Sequence, residues 1–300
     1  IVEGAGERAL GTALAWAVRR HAVALHLVVD EATGPLARRA AQFEFPISVW
    51  YPQDRTILPV VAEHVLPHPD ASDEHLAFAE LIERGGAEVN VEYGVVTGEV
   101  RGLEVCRVVD EATTGRLVEL GDVDLAAIGD EPGVRLEVGV GANDREAFQI
   151  IHGNVPTLDA LRAVVGSVRA HRSVDAVQHP LNRMAPERFL RWQAIEEPDR
   201  IGLHRLVAAP PPVPRPSLKH QAPAVARGVD GDGEHGVSCT SGVEVDVVPF
   251  ALDAHTPLRA WDPTADFRSI RVAGRRNDLV TLTRDVAALS AVRVELTPVD

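Results

Sequence analysis

An α/β fold is what this sequence predicts, and three observations carry the prediction. Helical and strand spacings alternate at both ends of the chain, a strictly alternating strand pattern occupies part of the middle, and two proline-rich stretches punctuate the whole. Together they indicate Rossmann-like strand-helix-strand units at the two ends, flanking a mixed-sheet α/β middle domain. The expected divisions are an N-terminal unit over 1–70, a middle domain over 73–207, a Pro-rich linker over 208–220 and a C-terminal unit over 221–300. At 300 residues, 45% hydrophobic and 25% charged, the chain has a globular composition and room for more than one core.

From Glu7 to Arg20, the apolar residues Leu10, Ala13, Leu14, Ala17 and Val18 recur at helical spacing. Ala24–Val29 reads as a buried strand, Gly34–Phe43 as a helix with Leu36, Ala40 and Phe43 inward, and Ile47–Tyr51 as a strand ended by Pro52. The other end repeats the order: helix Val247–His255, strand Arg268–Ala273, helix Leu279–Leu289 and strand Val292–Leu296. The stretches 24–51 and 268–296 share length and pattern without residue identity, so a duplication and the recurrence of a common α/β unit both fit.

Between the ends, Pro59, Pro67 and Pro69 mark one extended stretch, and APPPVPRP over Ala209–Pro216 marks a linker. Asp73–Arg84 reads as a helix capped by Ser72 or Asp73. Ala87–Val95 alternates, with Ala87, Val89, Val91, Tyr93 and Val95 on one face and Glu88, Asn90 and Glu92 on the other. Glu99–Val109 reads as the next strand, and Leu117–Ile128 and Val134–Val140 flank a Gly-Asp-Glu-Pro-Gly turn. Helices are expected near Asp144–Ile151, over Leu158–His171 and around Pro186–Gln193. Ile201–Val207 supplies a later strand, and Pro223–Val229 with Gly236–Thr240 a hairpin.

The net charge of −14 opposes nonspecific attraction to phosphate backbones but leaves room for a local basic groove. Lys219 is the only lysine among 30 Lys and Arg residues, so arginine richness is a coding bias and by itself points to no nucleic acid. Cys106 and Cys239 are too few for a disulfide framework or a cysteine-based zinc site, and a reducing cytoplasm is the simplest reading. Arg19, Arg20, His21 and His26 interrupt the most apolar stretch, Ala9–Val29, so no membrane-spanning run and no signal-peptide pattern is expected.

Residues 121–141, GDVDLAAIGDEPGVRLEVGVG, suggest a chemistry. A hairpin here can bring Asp124 and Glu137 to one end of a sheet, where two carboxylates hold a hard divalent cation through oxygen. GDVDLAA followed by RLEVG resembles the strand pair of the PD-(D/E)xK nuclease superfamily, especially its Holliday-junction-resolvase-like branch. The resemblance covers 73–207 at most and rests on this short motif. It implies a restriction-endonuclease-like core, Mg²⁺ bound by Asp124 and Glu137, and phosphodiester hydrolysis of DNA or RNA. The family carries a lysine two residues after the glutamate, where this chain has Gly139. Either another group replaces that lysine or the chain is an inactive relative that binds nucleic acid. Arg135 and Arg145 are near, but arginine stays protonated and neutralises phosphate rather than acting as a base. The plainer alternative is a surface hairpin with ordinary outward acids.

Glu104, in VRGLEVCRVV, shares strand parity with Val100, Cys106 and Val108, an expensive setting for a carboxylate unless it is paired or used. It is a third candidate ligand, or the partner of Arg101 or Arg107 across a bulge at Gly102. Arg145, Arg162, Arg169 and Arg172 are the candidate phosphate-binding residues, three of them in the basic stretch Arg162–Arg191; pairing with acids elsewhere is the alternative. His64, His68, Asp70, Asp73 and His75 have spacing that suits a metal but match no zinc motif. Gly139-Val140-Gly141 lacks the full dinucleotide fingerprint, and Asp230, Asp232 and Glu234 read as turn residues. The leading functional expectation is a Mg²⁺-dependent nuclease-like protein or an inactive nucleic-acid-binding relative. The alternative is a non-catalytic α/β protein that binds a small ligand or a protein partner, at turns such as Asp30–Gly34 or Ala273–Asp278.

Overall fold

The structure, a computed structural model, describes residues 9–30, 33–64, 68–110, 133–141, 144, 145, 147, 158–174, 179–214, 222–261 and 267–299, with the helix alone given for 257–261. In chain order the elements are α1 (Ala9–Arg19), β1 (Leu25–Val28), α2 (Thr33–Ala40), β2 (Ile47–Gln53), β3 (Thr56–Pro59), α3 (Asp73–Leu76), α4 (Ala79–Arg84), β4 (Glu88–Glu92), β5 (Val95–Val100), β6 (Leu103–Val109) and β7 (Arg135–Val138). Then follow α5 (Leu158–His171), α6 (Pro180–Arg183), α7 (Pro186–Glu196), a 3-10 turn (Pro198–Ile201), β8 (Arg205–Ala208), β9 (Ala224–Val229), β10 (Glu234–Cys239), α8 (Val247–Trp261), β11 (Phe267–Gly274), α9 (Thr281–Ala287) and β12 (Val294–Pro298). This is a mixed α/β protein with three sheets among the described residues. It forms two compact units.

The first unit gathers Ile1–Pro67, Ala194–Pro212 and Pro223–Asp300, so both chain ends belong to one unit. Its sheets have the orders β1-β2-β3 and β12-β11-β10-β9-β8. β1 and β2 run parallel, as do β10, β11 and β12, while β3, β8 and β9 add antiparallel neighbours. One apolar cluster joins the two end segments: Leu10 and Leu14 of α1, Leu36 of α2, Leu252 of α8, and Ile270 and Val272 of β11. Gly11 is required in α1, because a Cβ there would meet the backbone of Val245 and Asp246. Its amide donates to Asp246 Oδ1 at 2.9 Å. The buried Arg39 closes the same seam, with Nε 3.0 Å from Asp253 Oδ2 and Nη1 3.6 Å from Asp246 Oδ2. After α2 and α9 the chain ends meet again, where Phe43 and Ser290 form an antiparallel bridge.

The second unit comprises His68–Gln193 and Val213–Ala222. Its sheet has the order β4-β5-β6-β7, antiparallel throughout. Two-residue turns make the first two hairpins: Tyr93 (φ 53°) with Gly94 (φ 79°), and Arg101 (φ 50°) with Gly102 (φ 71°). Two successive left-handed residues give a turn whose twist matches that of the strands. The single strand expected over Glu99–Val109 is therefore two, reversed at Arg101-Gly102. One face of the sheet is apolar: Val96, Val100, Cys106, Val108, Leu136 and Val138 pack with Ile82 of α4 and Leu161, Val165 and Val168 of α5. The spacing of those three α5 residues is the i, i+4, i+7 stripe that the sequence shows. The later strand expected within the middle domain is β8, and it pairs with β9 in the first unit.

Candidate functional site: a charged layer on one sheet face

Antiparallel pairing sets which side chains share the other face of the four-stranded sheet. Arg107 lies opposite both Thr97 and Glu137, and Thr97 lies opposite Asn90. Residues directly opposite one another project to the same side, so Asn90, Thr97, Arg107 and Glu137 form one row. Glu104 joins that side through a bulge. The register passes from Gly98↔Cys106 to Glu99↔Glu104, skipping Val105. An extra residue reverses the alternation, so Glu104 leaves the apolar face its spacing predicts and meets Arg107.

The layer is a chain of ion pairs. Arg107 Nε and Nη2 each donate to Glu104, both at 2.9 Å, a two-pronged pair. Arg145, just beyond β7, donates from Nη1 to Glu104 Oε1 at 2.9 Å and places Nε 3.6 Å from Glu137 Oε2. Arg135 donates to Glu137 Oε1 at 2.9 Å. At the β4–β5 end, Arg188 of α7 donates to both Glu92 and Glu99. Arg191, one helical turn on, lies 3.5 Å from Glu99 Oε2. Asn90 Nδ2 bridges Glu92 and Glu99 at 3.1 Å each.

Burial makes these pairs obligatory. Glu99, Glu104, Arg107, Arg145, Arg188 and Arg191 are all buried. Desolvation alone pushes a carboxyl pKa up, yet Arg188 and Arg191 outweigh it at Glu92 and hold that group below its ordinary range. Burial likewise opposes the charge on Arg188, and Glu92 and Glu99 override it, raising the pKa further. On the apolar side, burial first and the Glu104 charge second push the Cys106 thiol up to about 12, so it stays protonated and inert.

α7 is held over this face by Arg172. Its buried guanidinium donates to four backbone carbonyls: Arg101 at 2.8 Å, Leu181 at 2.6 Å, Met184 at 2.7 Å and Ala185 at 3.0 Å. It also lies 4.9 Å from the centre of the Phe189 ring.

The candidate residues thus fall in several places. Glu104 and Glu137 come together, both against Arg145. Asp124 lies outside the described residues, as does the strand expected around it. Of the candidate phosphate-binding arginines, Arg145 and Arg172 are committed to protein groups, and Arg169 donates to the carbonyl of Gly86 at 2.6 Å. Arg162 is exposed, 3.6 Å from Asp159. Gly139 has φ 143°, and a Cβ there would press on the backbone of Asp144 and Arg145, so no larger residue fits without a shift. His75 pairs with Asp110 at 3.1 Å, and the His68 ring lies 4.3 Å from that of Tyr93, tilted by 34°. No group of three or more His, Cys, Asp or Glu suited to a metal occurs among the described residues.

Sequence reasoning missed the weight of Glu92, Glu99, Arg188 and Arg191. Nothing in the strand spacing around Glu92 and Glu99 names a partner for either acid. The missed signal was Arg188 and Arg191, three apart on an otherwise amphipathic helix, which need acids opposite them. A second polar chain was missed in the first unit. Asp230 Oδ2 lies 2.9 Å from His235 Nε2, and His235 Nδ1 lies 2.9 Å from Ser269 Oγ. His235, against the opposing effect of burial, holds the Asp230 carboxyl well below its usual range, with help from the Asp232 amide and Arg271. The order acid, imidazole, hydroxyl is that of a hydrolase relay, but Ser269 is 2% exposed and no acyl group can reach it.

Set against known families, curated proteins and solved structures, the chain has no match in any of the three. No helix among the described residues is long and apolar enough to cross a membrane.

Proposed function

We propose that this chain is a binding protein whose second unit has a nuclease-like strand motif without metal-dependent hydrolysis. Arg145 carries the reading. Its guanidinium lies against Glu104 and Glu137, the two described acids that Mg²⁺ would need. Charge supports it as well. Among the described residues the layer sets Arg107, Arg135, Arg145, Arg188 and Arg191 against Glu92, Glu99, Glu104 and Glu137, an excess of one positive charge. A dication entering between Glu104 and Glu137 must first displace the Arg145 guanidinium from them. Gly139 leaves no lysine to prepare a water. With most candidate arginines occupied and a net charge of −14, a small ligand or a protein is a better-suited partner than nucleic acid.

A second reading, the Mg²⁺-dependent nuclease with Asp124 and Glu137 as ligands, is favoured by one observation: Glu104 and Glu137 converge on a single cationic group. Calorimetric titration with Mg²⁺ and Mn²⁺, followed by nuclease assays on single-stranded, duplex and branched DNA, separates the two. The binding-protein reading expects no metal heat and no cleavage. A metal signal abolished by both Asp124→Ala and Glu137→Ala, together with cleavage, would establish the nuclease instead.

A further inference from the structure

Two histidines in the second unit hold opposite tautomers against each other. His171 is the last residue of α5 and His179 precedes α6; their rings stack with centroids 4.4 Å apart and planes 24° apart. His171 Nδ1 lies 2.8 Å from the carbonyl oxygen of Ser167, which can only accept, so Nδ1 carries the hydrogen and Nε2 is the basic nitrogen. His179 Nδ1 instead accepts the Leu181 amide at 3.3 Å as the cap of α6, so its hydrogen sits on Nε2. The sequence alone shows two histidines eight apart and nothing of this opposition.

The two rings therefore respond differently to acid. A first proton goes to His171 Nε2 without breaking a hydrogen bond. The resulting cation ends a helix, where positive charge is favoured, and faces a neutral aromatic ring. A second proton must go to His179 Nδ1. It displaces the Leu181 amide and sets two like charges face to face. The charged side chains bonded around this helix end are cationic: Arg169 on α5, donating to the Gly86 carbonyl; Arg172, just past α5, donating to the Arg101, Leu181 and Met184 carbonyls; and Arg101 of the β5–β6 turn, donating to the Arg169 and Arg172 carbonyls. Arg183 lies on α6. Asp175, between the two helices in sequence, lies outside the described residues.

We infer that His171 and His179 form an acid-sensitive clip, which caps α6 while the pair carries no more than one positive charge and releases the cap when it carries two. α6 leads through Ala185 into α7, so the clip governs how firmly the approach to Arg188 and Arg191 is held.

The test is amide exchange in the full chain, read by NMR as protection factors so that the intrinsic pH dependence of exchange is removed. From about pH 7.5 to about pH 4.5, the span over which imidazoles take up protons, protection of the Leu181 amide should fall about fivefold, the usual worth of a helix cap. In His179→Asn, which keeps a capping side chain but cannot be protonated, the fall should vanish. In His171→Gln it should begin at higher pH, because the stacked charge that opposed the proton on His179 is gone. Constant protection in the unsubstituted chain, or an equal fall in His179→Asn, would overturn the clip.

Discussion

Arg188 holds two carboxylates at once, the buried Glu99 and the partly buried Glu92, so deleting its side chain leaves more behind than it removes. In Arg188→Ala, Glu92 and Glu99 keep Arg191 and Asn90 as partners among the described residues. Breaking a buried pair from one side costs about 3–5 kcal/mol, and urea denaturation should show a loss of that size. Arg162→Ala, by contrast, alters an exposed pair and should change stability by no more than about 0.5 kcal/mol. Acid should weaken the second unit in two stages. The His68 pKa is lowered from its ordinary 6.5, by burial chiefly and against the charge of Glu92. The unfolded chain then binds that proton more readily than the folded one, so stability declines as pH falls below about 6.5. Glu92, lowered from 4.5, contributes stability that is present above its ordinary range and lost as pH falls through it. Melting temperature against pH should show both declines. His68→Gln should remove the upper one and Glu92→Gln should flatten the lower.

At the scale of elements, turns decide where side chains go. Gly102 has φ 71°, and a Cβ there would run into the carbonyl of Arg188 on α7. Gly102→Ala should therefore cost about 1–3 kcal/mol from the left-handed backbone, and more through displacement of α7; denaturation and the near-ultraviolet signal of Trp192 would report both. The edge strand β3 shows the opposite economy. It is exposed along its length and carries Ile57 and Leu58. In a two-residue hairpin closed by Gln53 and Thr56, Pro59 falls at a position whose N–H would point outward. Proline has none, so the edge offers a poor template for another strand. Much of this was legible: α5 has the bounds its spacing predicts, and the β9–β10 hairpin forms around the Asp-Gly turn. The Tyr93-Gly94 and Arg101-Gly102 turns were less so, because each interrupts an apolar alternation that reads as continuous and only the glycine marks it.

For the molecule as a whole, the two cysteines offer a probe. Cys106 lies in the core of the second unit and Cys239 in the first, both fully buried. Neither should react with a thiol reagent at about pH 8 in the native protein, while both should react in denaturant. Single-thiol variants (Cys106→Ala, Cys239→Ala) then report the opening of one unit each. Prompt labelling of the native chain would contradict the burial. The units themselves were only half legible. Alternating helix and strand periodicities at both ends announced two α/β segments, but periodicity is a local property. It says nothing of whether residues near 10 and near 250 share a core, as Leu10 and Leu252 do.

The sequence by itself determined the mixed α/β class, the amphipathic helices and the order of most elements, because each depends on side-chain spacing within a few residues of the backbone. It also singled out Glu104, Glu137 and Arg145 by name. Tertiary structure decided what those residues are to one another. One skipped residue at Val105 turned Glu104 to the polar face, and antiparallel register set Glu137 opposite Arg107. The Coulomb energy of a buried charge depends on distances across strands, which no spacing along the chain encodes.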